Sequence, residues 1–386
     1  MTRVLYLSPS TLPSRTANSV HVAHQCDGFS RLGAEVTLVA KRTLADAAAL
    51  PAAVREAYGV AFDRVRLETF FRKATRGDTV AIALKSLAVA ARQEPPPDVV
   101  LSRNLYAAYA LAVLRGRQLV YEVHDLEHGV RRRLQRAIIA HPRVLTLTIS
   151  EKLREILTEH HGIAPANALV LHDAAPEGIT PLAAAEKRAA LQDVTPGVDL
   201  SRYRTVCGYF GHLYPGRGIE VIEGMARLRP ETGFLVFGGN EGDIVARRDA
   251  NCLPNLHFMG FVPHAMAQRA MAACDVLLMP YQRQVSIGVA GRDTARWMSP
   301  MKMFEYLASG TPLISSDLPV LREVLRHGEN ALLVTPAVVD DWVAALDRLC
   351  ASPSLARSLG AAGHADYAEH HTWTVRAKRI LEAAGA

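Results

Sequence analysis

The chain has 386 residues, 49% hydrophobic and 21% charged, with a formal net charge of +6; this is the profile of a folded globular protein, and its length points to two domains. No apolar run reaches the roughly 20 residues of a membrane span, and the 6% aromatic content is not interleaved with the basic residues, which argues against a nucleic-acid partner. Five scattered cysteines without CxxC spacing argue against a disulfide framework or zinc site and for a reducing cytoplasm.

The N-terminus, MTRVLYLSPS, reads as a buried strand entering a loop, with too short an apolar stretch for a signal peptide. Strand Val4–Leu7, a loop from Ser8 to Asn18, helix Ser19–Leu32 and strand Glu35–Ala40 follow, with Asn18 or Ser19 as the helix cap and Gly33 as its stop. This unit opens a doubly wound parallel sheet. Strands at 98–101, 118–123, 144–149 and 168–171 alternate with helical patterns at 79–92 and 105–114. The basic clusters Arg72, Lys73, Arg76 and Arg131–Arg133 with Arg136 read either as solvated helix faces or as a lipid- or acceptor-binding patch. Pro176, Gly178, Pro181, Pro196 and Gly197 surround a short helix at 183–191 and mark a connection.

The alternation restarts with strands at 205–210, 233–237, 256–259, 276–279, 313–315 and 331–334 and helices at 218–228 and 265–273. The expected fold is therefore α/β: two facing Rossmann-like doubly wound domains with an interdomain cleft. The expected limits are 1–190 and 200–371, with a last helix at about 372–386 packing back on the first domain.

Several segments can carry chemistry. In Ser299–Ile314 a lysine and a glutamate, Lys302 and Glu305, lie three apart on one helix face beside a parallel sheet. They fit an anionic, hydroxyl-bearing ligand such as a sugar nucleotide, and equally a surface ion pair. Gly208–Gly218 ends a strand in glycines and feeds a helix, so backbone N–H groups can approach a pyrophosphate, with Arg217 adding a bidentate cation. Phe237–Gly238–Gly239 and Gly260–Phe261–Val262 also end strands, where backbone groups and an aromatic edge can hold a base.

His124, in Tyr121–Asp125, stands at a strand end. His124 and His128 lack the order of a zinc helix motif, and His21 and His24 read as helix-face residues. Asp340–Asp341 reads as a helix cap. There is no DxD pair to hold a cation against a diphosphate and no nucleophile elbow, so neither metal nor cofactor is expected.

These pieces occur in an order that resembles the retaining, GT-B-folded glycosyltransferases of family four over nearly the full length. Ser299–Pro312 is similar to the SPxKxxEYLAxGxP donor-site helix of that family. Gly208–Gly218, Gly260–Pro263, Cys274–Pro280, Arg322–Val324, Gly328–Val334, Ile149–Glu151 and Thr372–Trp373 support the match. The resemblance implies sugar transfer from a nucleotide-diphosphate donor, bound by the C-terminal domain, to a hydroxyl acceptor on the N-terminal one. In it Glu305 hydrogen-bonds the ribose, Arg217 and Lys302 neutralise the diphosphate, and His124 approaches the sugar. Gly211, His212, Gly238, Phe261 and Ser299 complete the donor side, and Asn18 and Ser19 stand on the acceptor side. The implied enzyme is metal-independent and cytoplasmic, with a peripheral contact at the inner membrane face allowed.

The sequence departs from the family at three places. Trp297 replaces the first of two glutamates eight apart, His212 replaces an arginine with Arg217 in place of the usual lysine, and Arg15–Ser19 lacks the glycine pair of the first loop. The loop Ser286–Gly291 offers backbone donors in place of the lost glutamate. A non-catalytic nucleotide- or partner-binding member is the alternative; a nicotinamide dehydrogenase is disfavoured because no GxGxxG follows the first strand.

Overall fold

The computed structural model describes residues 1–14, 16–71, 78–250, 252–286 and 293–386. Arg15, Arg72, Lys73, Arg76 and positions 287–291 of the loop singled out above lie outside the described residues. The chain forms two compact units: Met1–Asp173 with Thr372–Ala386, and Ala174–His371.

The first unit runs β1 (Arg3–Leu12), α1 (Ala17–Arg31), β2 (Glu35–Arg42), α2 (Leu50–Tyr58), β3 (Val65–Phe71) and α3 (Asp78–Arg92). It continues through β4 (Val99–Ser102), α4 (Leu105–Tyr109), β5 (Leu119–Val123), α5 (Gly129–Ile139), β6 (Val144–Thr148), α6 (Glu151–His161) and β7 (Asn167–Val170). The second unit runs α7 (Ala184–Val194), β8 (Thr205–Phe210), α8 (Ile219–Leu228), β9 (Thr232–Phe237), α9 (Glu241–Ala250), β10 (Leu256–Gly260) and α10 (His264–Ala273). It ends with β11 (Val276–Met279), α11 (Met301–Ala308), β12 (Leu313–Ser316), β13 (Leu332–Val334), α12 (Val339–Ala351) and α13 (Pro353–His370). The last helix, α14 (Trp373–Ala384), belongs to the first unit.

Both sheets are parallel, ordered β3-β2-β1-β4-β5-β6-β7 and β10-β9-β8-β11-β12-β13. Helices cover both faces, so central strands such as β5 and β9 are buried at every residue and read as apolar runs. In each sheet the order reverses beside the first strand, between β1 and β4 and between β8 and β11. Loops at the carboxyl ends of strands diverge at such a point and leave room for a ligand.

Several local expectations are corrected. β1 runs on to Leu12 because Thr11 and Leu12 pair with Lys41 and Arg42 beyond a register shift. The cap of α1 is Thr16; Ser19 is buried and donates its hydroxyl to the Thr11 carbonyl at 2.8 Å, closing the first loop. The first unit ends at Asp173 rather than near 190, because Ala190, Leu191 and Val194 of α7 join the second unit's core. Asp340 and Asp341 lie in the first turn of α12, which Val338 caps, and favour the helix through its dipole. α14 packs on α1 through Gly28, where a Cβ would meet the Trp373 carbonyl at 2.4 Å.

Candidate functional site

In the second unit three strand ends close together through glycine. The Gly211 N–H donates to the Phe237 carbonyl at 2.9 Å, and the Gly238 N–H donates to the Gly260 carbonyl at 2.6 Å. Gly238 has φ +102°, and a Cβ there would sit 2.4 Å from the Gly211 oxygen. Behind this platform Phe210 stacks on Phe237 with centroids 4.6 Å apart, and the Phe210 N–H donates to the Tyr306 hydroxyl at 2.8 Å. Phe261 follows β10 and is 60% exposed, an aromatic edge at the rim of the strand ends.

The loop from Gly211 to Gly218 presses on the segment after β11. Gly216 and Gly218 both have φ +81°, and a Cβ on either would lie 1.8 Å from the carbonyl of Gln284 or Pro280 respectively. Only glycine meets both demands, since L residues rarely adopt that conformation. The Tyr209 hydroxyl donates to the His212 carbonyl at 2.7 Å, which fixes the start of the loop.

Two cations converge on this switch point. The half-buried Lys302, on the first turn of α11, places its Nζ 4.3 Å from the Tyr209 ring centroid and 4.5 Å from that of Tyr281. Arg217 donates through Nη1 to the Tyr281 hydroxyl at 2.8 Å, and its buried Nε has no hydrogen-bond partner among the described residues. No carboxylate among the described residues forms an ion pair with either side chain. Desolvation, then the Arg217 charge, push the Lys302 ammonium well below its ordinary pKa, while Glu305 pulls the other way. An anion at this point would relieve both effects.

His212 is exposed and stacks on Tyr214 at 4.7 Å. Desolvation together with Arg217 and Lys302 lowers its pKa, so it is a neutral ring at pH 7 and replaces an arginine only as a hydrogen-bonding group. Ser299 is buried just before α11. Glu305 is engaged by a residue that sequence reasoning missed: the Nε2 of His264, at the start of α10, lies 2.5 Å from Glu305 Oε1.

The first unit holds a separate buried cluster. Glu122, on β5, has Arg376 Nη2 at 2.6 Å, His21 Nε2 at 3.0 Å and His124 Nε2 at 3.2 Å, all from Oε1. Its Oε2 accepts the Tyr6 hydroxyl at 3.0 Å, and Arg103 Nε lies 3.8 Å away. Burial would raise the Glu122 pKa, but Arg376 foremost, with the histidines and Arg103, holds it well below the ordinary value. His21 and His24 are corrected from helix-face residues to buried ones, and His21 Nδ1 also lies 3.0 Å from Asp173 Oδ1. His124 is lowered to about 4 by desolvation and then by Arg103, against Glu122, so it is neutral at pH 7.

His21, Glu122 and His124 could by spacing hold a metal ion. However, the Arg376 guanidinium already engages the carboxylate, and a divalent cation would meet two guanidinium charges. His128 is not part of this group; it caps α5 and contacts the His160 ring at 5.1 Å. Asn18 is half-buried on the first turn of α1.

Two family models match the chain. Residues 19–174 match Glycosyltransferase Family 4, and residues 217–382 match a glycosyl transferase-like family. The chain is thus similar to the family-four glycosyltransferases in its first part and to a glycosyl transferase-like family in its second. It is 29% identical over 221 residues to the D-inositol 3-phosphate glycosyltransferase of Rhodococcus jostii, covering 49% of this chain and 46% of that protein. It is 28% identical over 210 residues to the phosphatidyl-myo-inositol mannosyltransferase of Mycobacterium tuberculosis, covering 49% and 52%. The chain thus spans about half the length of these curated relatives. Among solved structures, Anabaena HepE in complex with UDP and glucose has the same fold, with a TM-score of 0.72 over 100% of both chains at 16% identity. A glycosyltransferase from Rickettsia africae aligns with a TM-score of 0.74 at 11% identity, over 99% of this chain and 97% of that one.

Both family glycosyltransferase models fall on parallel-sheet units, as the alternation of strands and helices predicts. The Gly211–Gly218 loop, Arg217 and Lys302 are brought together in the second unit. Glu122 and Arg376 were missed; a carboxylate inside the apolar strand LVYEV was the available signal, because a buried charge requires a partner.

Proposed function

We propose that the chain is a retaining glycosyltransferase that moves a sugar from a nucleoside-diphosphate donor, held by the second unit, to a hydroxyl acceptor held by the first. The observation that carries this reading is the pair Lys302 and Arg217 at the β8–β11 switch point. Both are partly desolvated, both lack a carboxylate partner among the described residues, and both lie beside a glycine loop that only close backbone approach explains. Such cations stabilise the charge that develops on a departing diphosphate without reorganising, the work a metal ion does in other transferases. In this reading Glu305 takes the ribose hydroxyls, Phe261 lies near the base, and Gly211, His212, Gly238 and Ser299 complete the donor side. His124, a neutral imidazole, meets a sugar hydroxyl, and Asn18 lies on the acceptor side; Ser19 acts through loop closure.

No helix among the described residues is long and apolar enough to cross a membrane. Exposed Val80 and Leu84 on α3, and Val130 beside exposed Arg131–Arg133 on α5, support a peripheral contact with an anionic bilayer in the cytoplasm. Trp297 in place of the first glutamate favours a second reading, a nucleotide-binding member without transfer activity. Thermal melting against a panel of nucleoside diphosphates and nucleotide sugars tests the first reading, since a donor stabilises the fold by mass action. Stabilisation together with slow donor hydrolysis supports it, and stabilisation without any turnover supports the second.

A further inference from the structure

We propose that His264 is a positioning residue: it holds the Glu305 carboxylate in the orientation that accepts the ribose hydroxyls, so that the His264–Glu305 pair, not the glutamate alone, reads the ribose. This inference rests on the nucleoside-diphosphate reading of the second unit.

His264 is the first residue of α10, and Glu305 lies on α11 one turn after Lys302; the two helices pack together. The imidazole Nε2 is 2.5 Å from Glu305 Oε1, with side chains 29% and 14% exposed. A carboxylate offers about four acceptor sites across its two oxygens. One imidazole N–H on Oε1 therefore leaves Oε2 and a second site on Oε1 for the two hydroxyls of a vicinal diol. Without that contact Glu305 would have to be ordered on binding, at an entropic cost that preorganisation removes.

The location of His264 opposes protonation twice: it is desolvated and it sits at a helix N-terminus, where the dipole disfavours a cation. Even so its pKa is raised, because the Glu305 charge and contact outweigh the burial. Lys302 on α11 also acts on Glu305, and in turn interacts with Arg217 and His212 of the glycine loop. They face the diphosphate side and would affect every nucleotide alike. A raised folded pKa means that the charge-assisted contact is complete below the ordinary value of 6.5 and weakens to a neutral N–H donor as pH rises through the folded value.

The test measures affinities of the full chain for UDP and 2′-deoxy-UDP by calorimetry, in wild type, H264A, H264Q and E305Q, across neutral to alkaline pH. The ratio of the two affinities isolates the 2′-hydroxyl contact from the 3′-hydroxyl and the diphosphate. The inference expects H264A to lose UDP affinity by roughly tenfold, the scale of one charge-assisted hydrogen bond. Its 2′-deoxy-UDP affinity, which retains only the 3′-hydroxyl contact, falls less, and H264Q, whose amide can still donate, recovers part of the loss. In wild type the ratio falls as pH rises, and in H264A it is flat. If H264A fails to fold, H264Q and the wild-type pH series decide the matter. A full ratio in H264A with none in E305Q would show Glu305 acting unaided and overturn the inference. A wild-type ratio that rises with pH would show His264 competing for Glu305 and overturn it as well. Binding of neither nucleotide by wild type would instead overturn the underlying reading, and the inference with it.

Discussion

Lys302→Met separates the stability of the second unit from its ligand binding. Methionine has similar length and fills the space between the Tyr209 and Tyr281 rings, whose centroids lie 4.3 and 4.5 Å from the Lys302 Nζ. Replacing desolvated charge with packed apolar atoms gains about 1–4 kcal/mol. Two cation–π contacts of about 0.5–2 kcal/mol each are lost. Removing a cation that Arg217 repels favours the gain. The gain and the cation–π loss are of the same size, so only the lost repulsion tips the balance, and the expected net gain is at most about 1 kcal/mol, a rise in Tm of no more than roughly 2–4 °C for a unit of this size. Binding moves the other way: a lost charge-assisted contact to diphosphate, about 1.5–3 kcal/mol, weakens UDP by roughly ten- to a hundredfold.

The pH dependence has a fixed sign. The folded pKa of Lys302 is lowered, so between that value and the ordinary lysine value of 10.5 the unfolded chain binds the extra proton, and wild-type stability rises with pH. Below the folded value the cost is fully present. In K302M that contribution is absent. Thermal melting with and without UDP, with calorimetry for affinity, reads all of these effects. A K302M protein that melts lower than wild type and keeps its UDP affinity would show that Lys302 is neither a cost to the fold nor a diphosphate ligand.

Gly218→Ala should cost much more stability than Gly328→Ala, and should weaken UDP, as read by melting and calorimetry. Both residues have positive φ, +81° and +79°, worth about 1–2 kcal/mol for an L residue, but only Gly218 would also drive a Cβ to 1.8 Å from a carbonyl oxygen. Equal losses would mean that the loop relaxes freely. Arg376→Met leaves the Glu122 carboxylate buried without its main partner and should destabilise the first unit by about 3–5 kcal/mol in urea unfolding. Glu122 has a depressed folded pKa, so its stabilisation is present above the ordinary glutamate value of 4.5 and is lost as pH falls through the folded value. The acid unfolding midpoint of R376M should therefore lie at higher pH than that of wild type, and an unchanged midpoint would show that Glu122 does not depend on Arg376.

The fold was legible in the sequence because parallel strands buried on both faces leave apolar runs between helices, and each unit repeats that rhythm. Lys302 and Glu305 were legible because helix spacing places them together within one turn. The contacts that complete the site were not, since they join distant positions: Arg376 reaches Glu122 across 254 positions, and His264 reaches Glu305 across 41. Proline and glycine around α7 marked a connection, but the apolar residues inside it belong to the second unit's core. Ser8–Thr11 is polar apart from Pro9 and reads as loop, whereas pairing to β2 continues past a register shift.

Release of nucleoside diphosphate from a panel of nucleotide sugars by the purified chain, beside K302M and E305Q, decides whether the second unit holds a donor for transfer. A donor-held diphosphate requires that at least one donor is turned over by wild type, that a hydroxyl acceptor accelerates the release, and that both variants lose it while remaining folded. Release from no donor, or equal release by wild type and both variants, would contradict it.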